Sequence, residues 1–222
     1  MKKFAFLALA VGAAFSNTAS ARPIFCSSGF QPLSYFASIG SYNAQSDSGG
    51  CMSQDKIWGG FSFTNAGANS QGRISTETIN GVDIYKLQIV FDPIPSIASP
   101  GSYAYTITND PLGTNHFFDQ IILGVDINTV AVNAVYQGID SNGHVYNITN
   151  PGGAGGSFSR NTSGNDDSYI SVAQYWTASG QGQLNSLTHT YIQSTIPEPD
   201  SLVLFGIGFV GFAVSRRRSS KA

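Results

Sequence analysis

The side chains able to carry chemistry in this chain are few and dispersed. Cys26 and Cys51 are its only cysteines. They lack the C-x-x-C spacing of a redox pair, and no histidine stands near either, so a metal site is a poor reading and a disulfide is expected in an oxidising compartment. The three histidines, His116, His144 and His189, are isolated from one another. No H-E-x-x-H offers a helix-borne zinc pair, and no G-x-S-x-G offers a nucleophile elbow. His189 alternates with Leu187 and Tyr191 and is expected as a packing or edge residue. Triads also assemble from distant residues, which weakens a hydrolase without removing it. A glycoside-type hydrolase needs only two carboxyls about 5 to 9.5 Å apart, and Asp119, Asp126 and the pair Asp166-Asp167 are the available members. Asp140-Ser141-Asn142-Gly143 and Asn165-Asp166-Asp167 are oxygen-rich turns. Neither completes a calcium-loop pattern, so turn formation is the simpler expectation, with no metal and no cofactor. Trp58, Tyr175 and Trp176, with Tyr169, could stack on sugar faces as a platform, or they could fill a core. Asn147-Ile148-Thr149 and Asn161-Thr162-Ser163 match the glycosylation sequon, a short pattern that means little by itself.

The elements that would position these groups are mostly strands. Leu33, Phe36 and Ala37 fall at helical spacing between Pro32 and Gly40, which predicts one short helix over 32–39. Residues 41–50 are polar and turn-rich, hence a loop. From Ile57 onward the apolar period becomes two. Phe61 and Phe63 alternate with Ser62 and Thr64. Tyr85, Leu87, Ile89 and Phe91 share one face, as do Tyr103, Tyr105 and Ile107, and then Ile121, Leu123, Val125 and Ile127. Further runs are 130–136, 170–176 and 187–192. Asn80-Gly81, Pro111-Leu112-Gly113, Ser141-Asn142-Gly143 and 151–156 supply turn chemistry between them. Seven or more such strands predict an all-β fold, an antiparallel β-sandwich or jelly-roll-like domain, with one short N-terminal helix.

The two ends read as addresses. Lys2 and Lys3 precede an apolar run from Phe4 to Phe15, and Ala19-Ser20-Ala21 offers small residues for cleavage. That is a secretory signal peptide over 1–21, the substrate of an export translocon and a signal peptidase. An exported β domain is then expected over 22–195. It holds five basic residues against eleven acidic ones, a balance that argues against nucleic acid, and none is expected as a partner. At the other end, Pro197-Glu198-Pro199 should stay extended, because proline blocks helix and ladder hydrogen bonding. An uncharged segment follows, Leu202-Val203-Leu204-Phe205-Gly206-Ile207-Gly208-Phe209-Val210-Gly211-Phe212-Ala213-Val214, expected as a hydrophobic membrane helix. Arg216, Arg217 and Arg218 then form a basic stop on the cytoplasmic side. Thirteen residues are fewer than the ~20 a helix needs to cross ~30 Å of hydrocarbon, which suits a temporary anchor better than a permanent one. The alternatives are a plain anchor or a core strand, and the arginines argue against the strand. Gly206, Gly208 and Gly211 also fit the letters of a dinucleotide fingerprint, yet no acidic residue follows them as that motif requires.

Over residues 196–222, the order of Pro-Glu-Pro, hydrophobic span and basic tail resembles the PEP-CTERM sorting signal. The resemblance implies an exosortase-type membrane protease as processing partner. It also implies a precursor transiently anchored in the membrane, then placed at the cell surface or in an exopolysaccharide-rich extracellular matrix. A second, looser resemblance lies in Leu33 to Gly40, Gly49-Gly50-Cys51, Asp55-Lys56-Ile57-Trp58 and Phe61-Ser62-Phe63. These look like the start of a recurrent group of PEP-CTERM proteins with a paired-cysteine segment before a β domain. It implies a β-rich extracellular protein with no assigned activity, and a non-enzymatic role is expected. The expected function is therefore an exported surface or matrix protein, with polysaccharide binding as the alternative and a secreted glycoside-type hydrolase as a second.

Overall fold

The computed structural model describes residues 22–92, 100–111, 116–128, 132–162, 169–178 and 183–195, with the backbone alone at His116, Phe117, Ala178, Ser194 and Thr195. The signal peptide, the Pro-Glu-Pro, the hydrophobic span expected as a C-terminal helix, and the basic stop all lie outside the described residues. In chain order the elements are β1 (Ile24–Phe25), β2 (Gln31–Pro32), α1 (Leu33–Ser38), β3 (Cys51–Ser53), β4 (Lys56–Thr64), β5 (Gln71–Ile79), β6 (Val82–Val90) and β7 (Gly101–Asn109). They continue with β8 (His116–Ile127), β9 (Val132–Asp140), β10 (Val145–Thr149), β11 (Gly156–Asn161), β12 (Tyr169–Ala178) and β13 (Leu184–Thr195).

Two sheets face each other. Sheet A runs β1-β3-β4-β7-β12-β9-β10, and sheet B runs β11-β8-β13-β6-β5-β2. Adjacent strands make hairpins at β3–β4, β5–β6 and β9–β10. From β10 to β13 each strand joins the opposite sheet from its predecessor, which gives a sandwich with jelly-roll-like crossovers. The expected all-β sandwich with one short helix is thus observed. One pairing departs from the antiparallel expectation: β1 lies parallel to β3, with Ile24 opposite Cys51 and Phe25 opposite Met52.

The period-two faces explain the core. Tyr85, Leu87 and Ile89 of β6, Tyr103, Tyr105 and Ile107 of β7, and Leu187 and Tyr191 of β13 are all buried between the sheets. Aromatic contacts dominate there. Phe61 stacks on Tyr105 with centroids 5.4 Å apart, Trp58 on Tyr105 at 5.7 Å, and Phe91 tilts against Trp176 at 4.9 Å. Each such ring removes a large apolar area from water, and offset or edge geometry adds to that gain. Trp58 and Phe61 both face inward although they lie three positions apart, because β4 carries a bulge between them, where the register skips from Gly59 opposite Thr106 to Ser62 opposite Ala104. Gly60 at φ +65° takes the left-handed backbone this requires.

The paired cysteines brace one end of this sandwich. Cys26 and Cys51 form a disulfide with Cα atoms 4.9 Å apart. Pro32 stands immediately before α1, which is one residue shorter at each end than the predicted 32–39. The helix buries Leu33 and Phe36, and Phe36 meets Phe61 at 5.2 Å. Gly50 N–H donates to Ile39 O and Gly60 N–H to Gly40 O, both at 2.9 Å. These bonds lay the 40–50 loop over the outer side of β4.

Candidate functional site

Neighbouring residues on a strand point to opposite faces, so Tyr175 and Trp176 cannot share a platform. Trp176 is 2% exposed and Trp58 0%, whereas Tyr175 is 50% exposed. The expected stacking trio is therefore corrected to Tyr175 alone. Trp176 shares its parity with Ile170 and Val172, and that signal already places it inward. A Cβ on Gly101 would fall inside the Trp176 indole, so the ring occupies space that only glycine leaves open.

The edge reading of His189 gives way to the packing one. His189 is wholly buried in β13, which pairs with β6 on one side and β8 on the other. Its Nε2 lies 2.8 Å from Gln174 Oε1 and 3.1 Å from Tyr103 Oη, and its Nδ1 lies 2.7 Å from Tyr105 Oη. The Gln174 amide is oriented by donation from Nε2 to Tyr175 O at 2.8 Å. Its Oε1 can only accept, so the His189 proton sits on Nε2 and Nδ1 accepts from Tyr105. The remaining hydroxyls then fall into one order. Tyr136 donates to Tyr191 at 3.2 Å, and Tyr191 donates to Tyr105 at 2.6 Å. Burial pulls the His189 pKa down to about 3 and pushes the four tyrosines up. A neutral histidine closed off from solvent has no access to a substrate. The cluster holds the two sheets in register as a satisfied polar core.

A second buried group lies where β4 begins. Lys56 is fully buried; its Nζ pairs with Asp55 Oδ2 at 2.9 Å and lies 4.8 Å from the Tyr85 ring centroid. Tyr85 donates to Asp55 Oδ1, and Gln193 Nε2 donates to Asp55 Oδ2 at 3.2 Å. Desolvation lowers the Lys56 pKa, and Asp55 opposes that shift. Nothing in the sequence pattern marks this lysine as an interior residue.

The acidic turn is self-contained. Asp140 Oδ1 accepts from the N–H groups of Asn142 and His144, and Oδ2 from Tyr146 Oη and His144 Nδ1, all at 2.8 Å. Four donors fill the positions a cation would need, so this is a turn lock. Among the described residues no group of three or more His, Cys, Asp or Glu could hold a metal ion. Asp119 and Asp126 lie seven positions apart on β8, about 23 Å at ~3.3 Å per residue. That exceeds the ~9.5 Å upper limit for a hydrolytic pair. Asp166 and Asp167 lie outside the described residues, as does the Asn165 turn.

Residues 195–218 match the model of the PEP-CTERM protein-sorting motif. The match begins at the last residue of β13. The motif implies an exported chain, transiently held at a membrane through its C-terminal segment, with an exosortase as processing partner. No helix among the described residues is long and apolar enough to cross a membrane. No curated protein matches the chain. Among solved structures, an exo-beta-agarase is 14% identical with a TM-score of 0.31 over 63% of this chain and 24% of its own. The enzymatically active domain of tailspike protein 4 from bacteriophage CBA120 is 13% identical with a TM-score of 0.29, over 63% of this chain and 19% of its own. A family 11 carbohydrate-binding module from Clostridium thermocellum, in complex with a beta-1,3-1,4-mixed-linked tetrasaccharide, is 14% identical with a TM-score of 0.24, over 61% and 86%. The chain thus spans about a quarter and a fifth of the first two.

Proposed function

We propose that this protein is a non-catalytic component of the cell surface or extracellular matrix, released from a transient membrane anchor by cleavage near Pro197-Glu198-Pro199. The observation that carries this reading is the sorting motif over 195–218, joined to a disulfide-braced β domain. The disulfide fits an oxidising compartment. In this reading Pro197, Glu198 and Pro199 are recognised by the exosortase, residues 202–214 hold the precursor in the bilayer, and Arg216, Arg217 and Arg218 stop its transfer. The residues are determinants for another enzyme's chemistry. Intact-mass spectrometry of the protein from the envelope and the medium tests the proposal. A species ending close to the motif is expected in a host with a working exosortase, and a full-length species in one without it. A C-terminus running through Ala222 in both hosts would overturn the claim.

A further inference from the structure

The outward faces of the two sheets differ in chemistry. On sheet B the outward positions include Arg73, Glu77, Lys86 and Asp126. On sheet A, among the described residues, those of β4, β7, β12, β9 and β10 carry no charge at all. Among the described residues the 40–50 loop covers β4 near Gly59 and Gly60 and leaves β7, β12, β9 and β10 open. That strip is about 14 Å wide at ~4.8 Å per strand.

Register orders this strip into rows. Ser102, Tyr175, Val135 and Thr149 stand side by side across it. The next row is Ala104, Ala173, Gln137 and Asn147, in which Gln137 Nε2 donates to Asn147 Oδ1 at 3.3 Å. The third is Thr106, Ser171, Ile139 and Val145. Rows on one face repeat about every 7 Å. A half-exposed aromatic ring thus rises over serine and alanine, one row from a pair of amides.

We propose that this face binds a strand of uncharged polysaccharide, with Tyr175 stacking on a sugar ring and the Gln137–Asn147 amides meeting its hydroxyls. Sugars present an apolar C–H face and a rim of hydroxyls, and the rows offer one surface for each. An anionic polymer finds a single cation at this edge, Arg160 of β11 donating to Asn147 O, and otherwise meets an acidic domain. A second copy of the chain fits less well, because the apolar side chains are split by the amide row, whereas protein interfaces gather theirs into a core. The proposal does not depend on where sorting delivers the protein.

Native affinity electrophoresis tests it with mature protein purified from the host envelope. Gels would contain the host's own matrix polysaccharide, a neutral β-1,3-glucan, a neutral galactan, or alginate as the anionic control. Retardation by at least one neutral polymer is expected, insensitive to added salt. Tyr175→Ala should weaken it about tenfold, Gln137→Ala should weaken it too, and Tyr175→Phe and Lys86→Ala should retain it. All these side chains are at least partly exposed, and near-UV circular dichroism would verify folding. Retardation by alginate alone, by no polymer, or equally with Tyr175→Ala overturns the proposal. So does a dimer, seen by light scattering without polysaccharide, that Tyr175→Ala abolishes.

Discussion

His189 on β13 and Gln174 on β12 meet across the interface of the two sheets, 2.8 Å between Nε2 and Oε1. The contact fixes which ring nitrogen carries the proton, and burial keeps the ring neutral. In the unfolded chain this histidine takes up a proton near pH 6.5, whereas in the fold it does so only near pH 3. Between those values the unfolded state binds more protons, so stability rises with pH there. The contribution is complete above 6.5 and is lost as pH falls toward 3. A slope of about 1.4 kcal/mol per pH unit is expected from this group. Urea midpoints between pH 7 and 5, where most carboxylates remain ionised, should fall for the wild type. His189→Gln should flatten that slope whatever its absolute stability, and an unchanged slope would refute the assignment.

The Cys26–Cys51 disulfide closes a loop with a sequence separation of 25. Its reduction should cost about 3 kcal/mol in the chain-entropy model. Urea titrations with and without reductant measure this directly. Amide exchange should rise first in α1 and the 40–50 loop, which depend on the bridge for their place on β4.

Asp55 neutralises an ammonium group that has no route to water. Asp55→Asn should destabilise the fold by about 3 to 5 kcal/mol, the usual result of stranding a buried charge. Adding Lys56→Met removes that charge and should recover most of the loss. A double-mutant cycle on thermal midpoints decides it, and additive effects would show that the pair does not act as one unit.

Gly101 faces the Trp176 indole with no room for a methyl group. Gly101→Ala should cost about 1 to 3 kcal/mol through overpacking, read as a lower melting temperature and a shifted tryptophan emission. An unchanged melting temperature would mean that the ring has somewhere else to go.

The strand faces of β6, β7, β8 and β13 were readable from period-two alternation, because their inward residues are large and apolar. The edge strands were not. In β5, Gly72, Arg73, Ser75, Thr76, Glu77 and Thr78 surround Ile74, and β11 holds only Phe158 as an apolar residue. Neither needs more, since each lies toward an edge of its sheet, where less of a strand is buried. β10 lies at the edge of sheet A, and its short run Tyr146, Ile148 was hidden between two turns. Tyr175 was legible as an aromatic but not as an outward one, although its parity against Trp176 contains the answer. The bonds of Tyr85 and Gln193 to Asp55 and the tyrosine–histidine network join residues far apart in the chain. No local pattern records such meetings.

β13 is the last described strand in chain order, yet it is paired on both sides, along β6 and β8. It ends at Thr195, where the sorting motif begins. Without β13, β6 and β8 have no shared neighbour, so sheet B is complete only with the stretch just before the motif. Closure then brings a rigid body to within two residues of Pro197. If cleavage falls near Pro197 as proposed, the processing enzyme must work beside a strand paired on both sides.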